Sequence, residues 1–561
     1  AHARLKQPAN FRMFRNKKKL SHNRGSFFFG FDVVFRIEYC ILTTEYQVFS
    51  MNFQEYNQQQ NWLFPPSIEE LIPADHPVKV VNGVIEQLNL DLLISEYNKE
   101  GKPSYHPKMM LKVMVYAYMD NTYSSRKIEK AMRENINYMW LSARQVADHN
   151  TIARFRSKRL KTIFKDIFKQ VVLLLADEGL VTLKEVFTDG TKIESLAGRY
   201  TFVWGNAIKT RKQKMASQLE EMWQYAQSIA EEEDKDPTPP DFKKIDKQKV
   251  EQTARKINKI LKDNPRASTQ KKAKLRYIEQ NFAKNLEKYQ QQEEILAGRN
   301  SYSKTDPDAT FMRMKEDHML NGQLKPGYNV QISSQSQFVI HYTLHQQTND
   351  IHTLKPHLES FEYLYELFPE QLTADAGYGS EENYEYLEQN EITAYVKYNT
   401  FDKDEQTYKS KKKKKTSADF QRDNLHYNEQ GDFYVCPMGQ RMEKVFERRQ
   451  TTKSGYSQIS SVYRAQNCRG CPLRGVCHKS KSERTVQRNH TLERYKDMIR
   501  KRLTSAEGEK KRKKRTADVE PVFGHIKSNR NFKRFTHKGI KKAELEFGLH
   551  ALAHNLRKKV A

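Results

Sequence analysis

The ten residues from 371 to 380, QLTADAGYGS, constrain the fold more than any other stretch. Residues 372–374 read as a short strand that runs into Asp375 and breaks at once at Gly377 and Gly379. In an open α/β sheet ligands gather beyond the carboxyl ends of the strands. Glycines there let the backbone turn sharply and approach another group closely. An Asp at a strand end is also an ordinary turn former or helix cap. Two further acids give it company: Asp189 in EVFTDGTKIES and Glu520 in DVEPVFGHIK.

The periodicity around these acids alternates between strand and helix. Residues 183–188 read as a strand ending on Asp189, and 328–333 with 338–345 read as a hairpin. A helix over 352–368, the Asp375 strand, a helix over 380–389 and a strand over 393–398 follow. Asp518 reads as an N-cap and Pro521 as a first-turn residue, which predicts a late helix starting near 518. Glu520, Gly524 and Lys527 then share one face, with room beside the acid and a lysine within reach of a phosphate, while Val519, Phe523 and Ile526 pack on the sheet. A surface Glu near a helix start would look the same. The order predicts an α/β fold, a mixed sheet with helices on both faces.

The rest of the chain divides around this core. Residues 1–50 have no clear period and are expected to be an upstream or disordered extension, with Met51 as a natural start. Residues 51–178 read as an all-α N-terminal domain, with helix starts at Asp75-His76-Pro77 and His106-Pro107. Within it, two short helices, a polar turn and a helix carrying Arg154, Arg156, Lys158 and Arg159 resemble a helix-turn-helix, although any basic amphipathic helix gives this signal. The core is expected over 179–206 and 301–400, with its last part over 501–561. Residues 207–300 are polar and helical: Val250, Ala254, Ile257 and Leu261, then Leu275, Phe282, Leu286 and Tyr289, predict an antiparallel, coiled-coil-like helical hairpin. Residues 401–500 form a basic insert with four of the five cysteines and the lysine run 411–415, a solvated loop or a phosphate contact.

Charge narrows the partners. The 561 residues carry a formal net charge of +28, which a solvated basic surface would also give but which points to a polyanion, nucleic acid or an anionic membrane. No apolar run reaches the roughly 18 residues of a spanning helix, and the cysteines do not form a secreted disulfide pattern. A cytoplasmic, nucleoid-associated protein follows.

Three carboxylates converging at strand ends repel one another unless a hard cation neutralises them. Mg²⁺ or Mn²⁺ at Asp189, Asp375 and Glu520 would satisfy that charge and support an in-line phosphoryl displacement. Cys436, Cys468, Cys471 and Cys477 have the spacing of a tetrahedral zinc site, with His478 as a spare ligand. Four free thiols or a redox pair would share that spacing. Full ligation gives such a zinc a structural role. Cys40 stands apart, and His537, His550 and His554 read as phosphate contacts or packing residues.

TDGTKIES, TADAGYGS and VEPVFGHIK, in this order, resemble the acid motifs of the DDE transposases of bacterial insertion sequences. HPKMMLKVMVYAY, DHNTIARFR and KTDPDATFM resemble flanking patterns of the branch with a helical N-terminal domain and a cysteine insert. The resemblance covers residues 53–558. It implies an RNase H-like core with Asp189 on the first strand, Asp375 on the fourth and Glu520 on the late helix. It further implies metal-dependent cleavage at the element's terminal inverted repeats, strand transfer into double-stranded target DNA, and a homodimer on DNA. Related branches place a Tyr and an Arg seven and four residues before the Glu; here those positions hold Lys513 and Thr516, with Arg515 adjacent, and only Lys527 carries over. An RNase H-like nuclease without strand transfer, or a non-catalytic zinc-containing DNA-binding protein from a decayed element, would share much of this pattern.

Overall fold

The computed structural model describes residues 58, 65–97, 103–230, 240–243, 245–262, 264–314, 322–409 and 420–561. The expectations for residues 1–50 and for the lysine run 411–415 lie outside them. Among the described residues no helix is long and apolar enough to cross a membrane.

The central sheet is built from β1 (Glu185–Glu194), β2 (Leu324–Gln335), β3 (Phe338–His345), β4 (Gln371–Ala374) and β5 (Thr393–Val396). Their order is β3–β2–β1–β4–β5, and a sixth short strand, Thr310–Arg313, also pairs with β2. β2 runs antiparallel to β1 and β3, whereas β4 and β5 run parallel to β1. This mixed order is compatible with the RNase H-like class expected from the sequence. The boundary of β1 differs from the expected one. β1 does not stop at Asp189 but continues to Glu194, because β2 pairs with it from Phe187 through Glu194. Only its parallel pairing with β4 ends at Phe187.

The helices begin with α1 (Pro77–Glu86), α2 (Pro107–Met119), α3 (Ser125–Glu134), α4 (His149–Arg154) and α5 (Leu160–Asp177), then α6 (Gly205–Ile229) and α7 (Lys247–Lys262) of the insert. Downstream come α8 (Thr269–Leu296), α9 (Leu354–Tyr365), α10 (Glu381–Gln389), α11 (His490–Thr504), α12 (Ala506–Gly524) and α13 (Ile540–Val560). Each His-Pro pair starts a helix as expected, with His76 and His106 as the caps: their Nδ1 atoms accept from Val78 and Lys108 N–H, both at 3.2 Å. The N-terminal helices and the sheet share one hydrophobic cluster, from Ile72 to Leu556. The centre of α13 is buried all round, Phe547 through Leu556, between α2, α5 and β3. An all-round apolar helix is a core helix.

The expected helical hairpin is a three-helix bundle. Its two predicted stripes are buried, and α6 closes a third side with Met215, Leu219, Met222 and Trp223. The cysteine insert has a five-stranded sheet of its own, including β6 (Arg441–Thr451) and β7 (Ser457–Ala465).

Behind the sheet lies a buried polar row. Thr188 Oγ1 meets Ser333 Oγ at 2.9 Å, Ser333 Oγ meets His357 Nε2 at 2.9 Å, and His357 Nδ1 meets Thr343 Oγ1 at 2.6 Å. Burial, then the neighbouring His345 and Lys165, pushes His357 well below its ordinary range, and burial takes His345 down to about 4. His341 is pushed down by burial and by His357 beside it. An unfolded chain protonates these rings near pH ~6.5 and the folded chain does not. Their contribution to stability is therefore full above pH ~6.5 and falls as the pH drops towards 4. Urea denaturation midpoints should decline steeply from pH ~6.5 to ~4.5; a flat profile would contradict this.

Candidate active site

Asp189 and Asp375 follow the paired parts of adjacent parallel strands. Glu185 pairs with Gln371, Val186 with Leu372 and Phe187 with Thr373. Continued two residues past the last pair, the same register would set Asp189 level with Asp375, with both side chains on one face. Asp189 Oδ1 accepts from Gly190 N–H at 2.7 Å, and Asp375 Oδ1 accepts from Gly377 N–H at 2.8 Å. Gly379 is required by a close approach: a Cβ there would lie 2.3 Å from the Lys397 carbonyl oxygen. The loop after Asp375 is thus pressed against the chain leaving β5.

Helix α12 lies across the same face. It starts at Ala506, not near 518, because the Ser505 side chain caps it by accepting from Gly508 N–H at 3.1 Å. Asp518 is an interior, buried residue that accepts from Ser334 Oγ at 2.7 Å and Gln337 N–H at 3.0 Å, holding the β2–β3 turn. Pro521 inside the helix leaves the Ala517 carbonyl without its usual donor. Gln337 Nε2 supplies one at 2.9 Å. The tertiary contact removes the cost on which a first-turn placement rested.

The basic run 510–515 is partly consumed by the sheet. Lys511 pairs with Glu185 at 2.8 Å, Lys514 with Glu185 at 3.3 Å and Arg512 with Glu405 at 3.2 Å. Burial pushes the Glu185 carboxyl up, but Lys511 and Lys514 outweigh it and hold the group below its ordinary value. Arg515 Nη1 donates to Asp189 Oδ2 at 3.2 Å, with both side chains about 15% exposed (16% and 15%). Arg515 therefore serves the acid site from inside, a role that its sequence position did not suggest. Lys510 and Lys513 are exposed.

Glu520 follows from the helix geometry. Lys511 and Lys514 reach Glu185 at the start of β1, so that flank of α12 faces the amino end of the strand. Five residues after Arg515, Glu520 is turned by about 140° from the flank that meets Asp189. It is exposed there, and a Cβ on Gly524 would meet nothing within 4 Å. Val519 and Ile526 are fully buried and Phe523 partly so, as the helical wheel predicts.

The expected DNA contacts divide. Arg154 and Lys158 are exposed, and Arg159 lies with its guanidinium 4.4 Å from the Tyr97 ring centroid. Arg156 is buried and donates to the Tyr123 carbonyl at 2.8 Å and to Tyr118 Oη at 3.3 Å. It is a core tie rather than a DNA contact, because the wide turn 155–159 rotates it inwards. Lys527 is also buried, on the second such turn, 525–529. We expect Arg156→Ala to lower stability by about 2–3 kcal/mol, since it strands buried acceptors. Arg154→Ala should leave the melting temperature unchanged and reduce the salt slope of DNA binding by about one. Paired melting and binding titrations check both. The three late histidines are internal: His550 packs on Phe532 and Tyr118, His554 Nε2 meets the Gln337 carbonyl at 2.8 Å, and His537 Nδ1 meets Glu546 at 3.0 Å.

Cys436, Cys468, Cys471 and Cys477 are free thiols lining one cavity of about 30 Å³, together with His478 and Arg484. That volume suits a single atom-sized occupant. Arg484 Nη1 lies 2.6 Å from Cys477 Sγ. Among the described residues no three His, Cys, Asp or Glu side chains are already drawn together at ligand geometry.

Two family models match the chain. One described as a transposase DDE domain covers residues 435–560, which include the four clustered cysteines and Glu520 but neither Asp189 nor Asp375. One described as a transposase domain (DUF772) covers residues 66–158, the N-terminal helices. Comparison with curated proteins and with solved structures gives no match.

Proposed function

We propose that this chain, which belongs to the DDE transposases of insertion sequences, cuts DNA at the ends of its element and joins the freed 3′-hydroxyl to target DNA. The observation that supports this reading is the parallel pairing of the strands that lead to Asp189 and Asp375, crossed by the helix that bears Glu520. Two carboxylates following adjacent strands and one exposed acid are the donor types that suit a divalent cation, Mg²⁺ or Mn²⁺. When bound, such ions supply the Lewis acidity that activates the attacking oxygen and stabilises the leaving one.

The chain's own residues set the stage for that step. Arg515 offsets part of the charge on Asp189 and fixes its orientation. The turn at Gly377 fixes Asp375. Glu520 completes the acid set from the solvent side. Exposed Lys510 and Lys513 on the outer side of α12 receive the phosphate backbone, and Arg154 and Lys158 receive DNA further along. The four cysteines hold a structural zinc: their shared cavity and thiol chemistry support this, with the ligands closing on the ion as it binds. Assembly as a homodimer on two DNA ends follows from pairing two ends in one reaction.

The test is incubation of the full chain with Mg²⁺, DNA carrying its flanking repeats and a supercoiled target plasmid. Strand-specific nicks at the repeat ends followed by joined products are expected. Nicks without joining would indicate a nuclease, and binding without cleavage a DNA-binding protein alone.

A further inference from the structure

A buried polar cluster lies directly behind Asp189 and Asp375 and belongs to neither. Asn329 and Gln331 on β2 are fully buried, and Gln331 stands opposite Gly190 in the sheet register. Asp350, in the short turn Asp350–His352, accepts from Asn329 Nδ2 at 2.7 Å and from Gln331 Nε2 at 3.1 Å through the same oxygen. Gln331 Nε2 also donates to Asn329 Oδ1 at 3.1 Å. Its remaining acceptor, Oε1, receives the hydroxyl of Tyr378, itself fully buried and three residues past Asp375. Asn383 then ties the Tyr378 carbonyl (2.8 Å) to that of Ile351 (2.9 Å).

The two glycines flanking the acids fit this cluster. A Cβ on Gly190 would lie 2.3 Å from Gln331 Nε2 and 2.9 Å from Asp350 Oδ1. A Cβ on Gly377 would lie 3.0 Å from Asp375 Oδ1 and 3.5 Å from Asp350 Oδ2. The backbone beside each acid is thus seated on one and the same carboxylate. Burying such amides is costly unless every partner is placed, and apolar side chains would fill the space as well. What the polar version adds is a directional link between two strands' ends.

We propose that Asp350, acting through Gln331 and Tyr378, is a positioning residue that sets the spacing of Asp189 and Asp375. The proposal rests on those two acids holding the divalent cation. Supporting groups of this kind change metal affinity by about 10–100-fold when removed.

The test is Mn²⁺ binding to the full chain, read from the resonance of free Mn²⁺, with a thermal melt of each variant. Tyr378→Phe removes the tie without changing charge, Asp350→Ala removes the anchor, and Asp350→Asn keeps an acceptor oxygen. Tyr378→Phe and Asp350→Ala should bind Mn²⁺ about tenfold weaker or worse, with Asp350→Asn close to wild type. Wild-type Mn²⁺ affinity in Tyr378→Phe would overturn the proposal, whatever its melting temperature. Equal weakening in Asp350→Asn and Asp350→Ala, with Tyr378→Phe unaffected, would assign the effect to charge and overturn it too. Should Asp350→Ala fail to fold, the Tyr378→Phe result decides. No Mn²⁺ binding by wild type would remove the acid-site reading itself, and the proposal with it.

Discussion

Asp189→Ala and Asp375→Asn should each slow cleavage at the repeat ends by about 10³-fold or more, with DNA binding retained. The two carboxylates come from different elements, one on β1 and one just past β4, so neither can take over the other's place. Asp189→Ala also leaves Arg515 without the carboxylate it donates to. Glu520→Gln should produce a comparable loss with little change in stability, because its side chain is exposed and packs on nothing in the core. Single-turnover cleavage and filter binding on the same DNA separate the two effects. A parallel loss of binding and cleavage would contradict the assignment.

Removing metal from the cysteine insert should be the largest structural effect. The insert's own apolar core is Tyr434, Met442, Tyr463, Ala465 and Val486, with Cys436 and Cys468 packed against it. Five side chains are too few to offset the ordering of some sixty residues. Zinc bound to four thiolates contributes about 10–16 kcal/mol in small domains and is folding energy there. One zinc per chain is expected by elemental analysis. Chelation, or Cys471→Ser, should open residues 436–488 to protease while the central sheet stays protected. The damage should also reach α10, because Ser454 Oγ donates to Glu382 at 2.5 Å and Tyr456 Oη donates to Glu385 at the tip of the β6–β7 hairpin. A metal-free chain with the same digestion pattern would contradict this.

The strands that carry Asp189 and Asp375 are legible in the sequence because their local pattern is regular. Asp375 lies before two glycines, and β1 and β4 are short, alternating and β-branched or apolar. What sequence could not supply is long-range. Pro521 argued for a helix start, and only Gln337, 180 residues away from Ala517, makes the longer helix tolerable. Arg156 reads as one more basic residue until the wide turn at 155–159 rotates it into the core. Asp350 gave no signal, since an Asp between Asn and Ile in a polar turn is unremarkable; its importance comes from what β2 and the Asp375 loop bring to it. The third helix of the insert was missed because α6 is amphipathic over 25 residues yet mostly polar.

The most direct measurement is cleavage by Asp375→Cys in Mg²⁺ and in Mn²⁺. A thiolate is a poor ligand for Mg²⁺ and a better one for the softer Mn²⁺. If Asp375 holds the metal, the variant should be inactive in Mg²⁺ and regain nicking at the repeat ends in Mn²⁺. Full activity in Mg²⁺, or a loss that Mn²⁺ does not relieve, would contradict the assignment of Asp375 as a metal-holding acid.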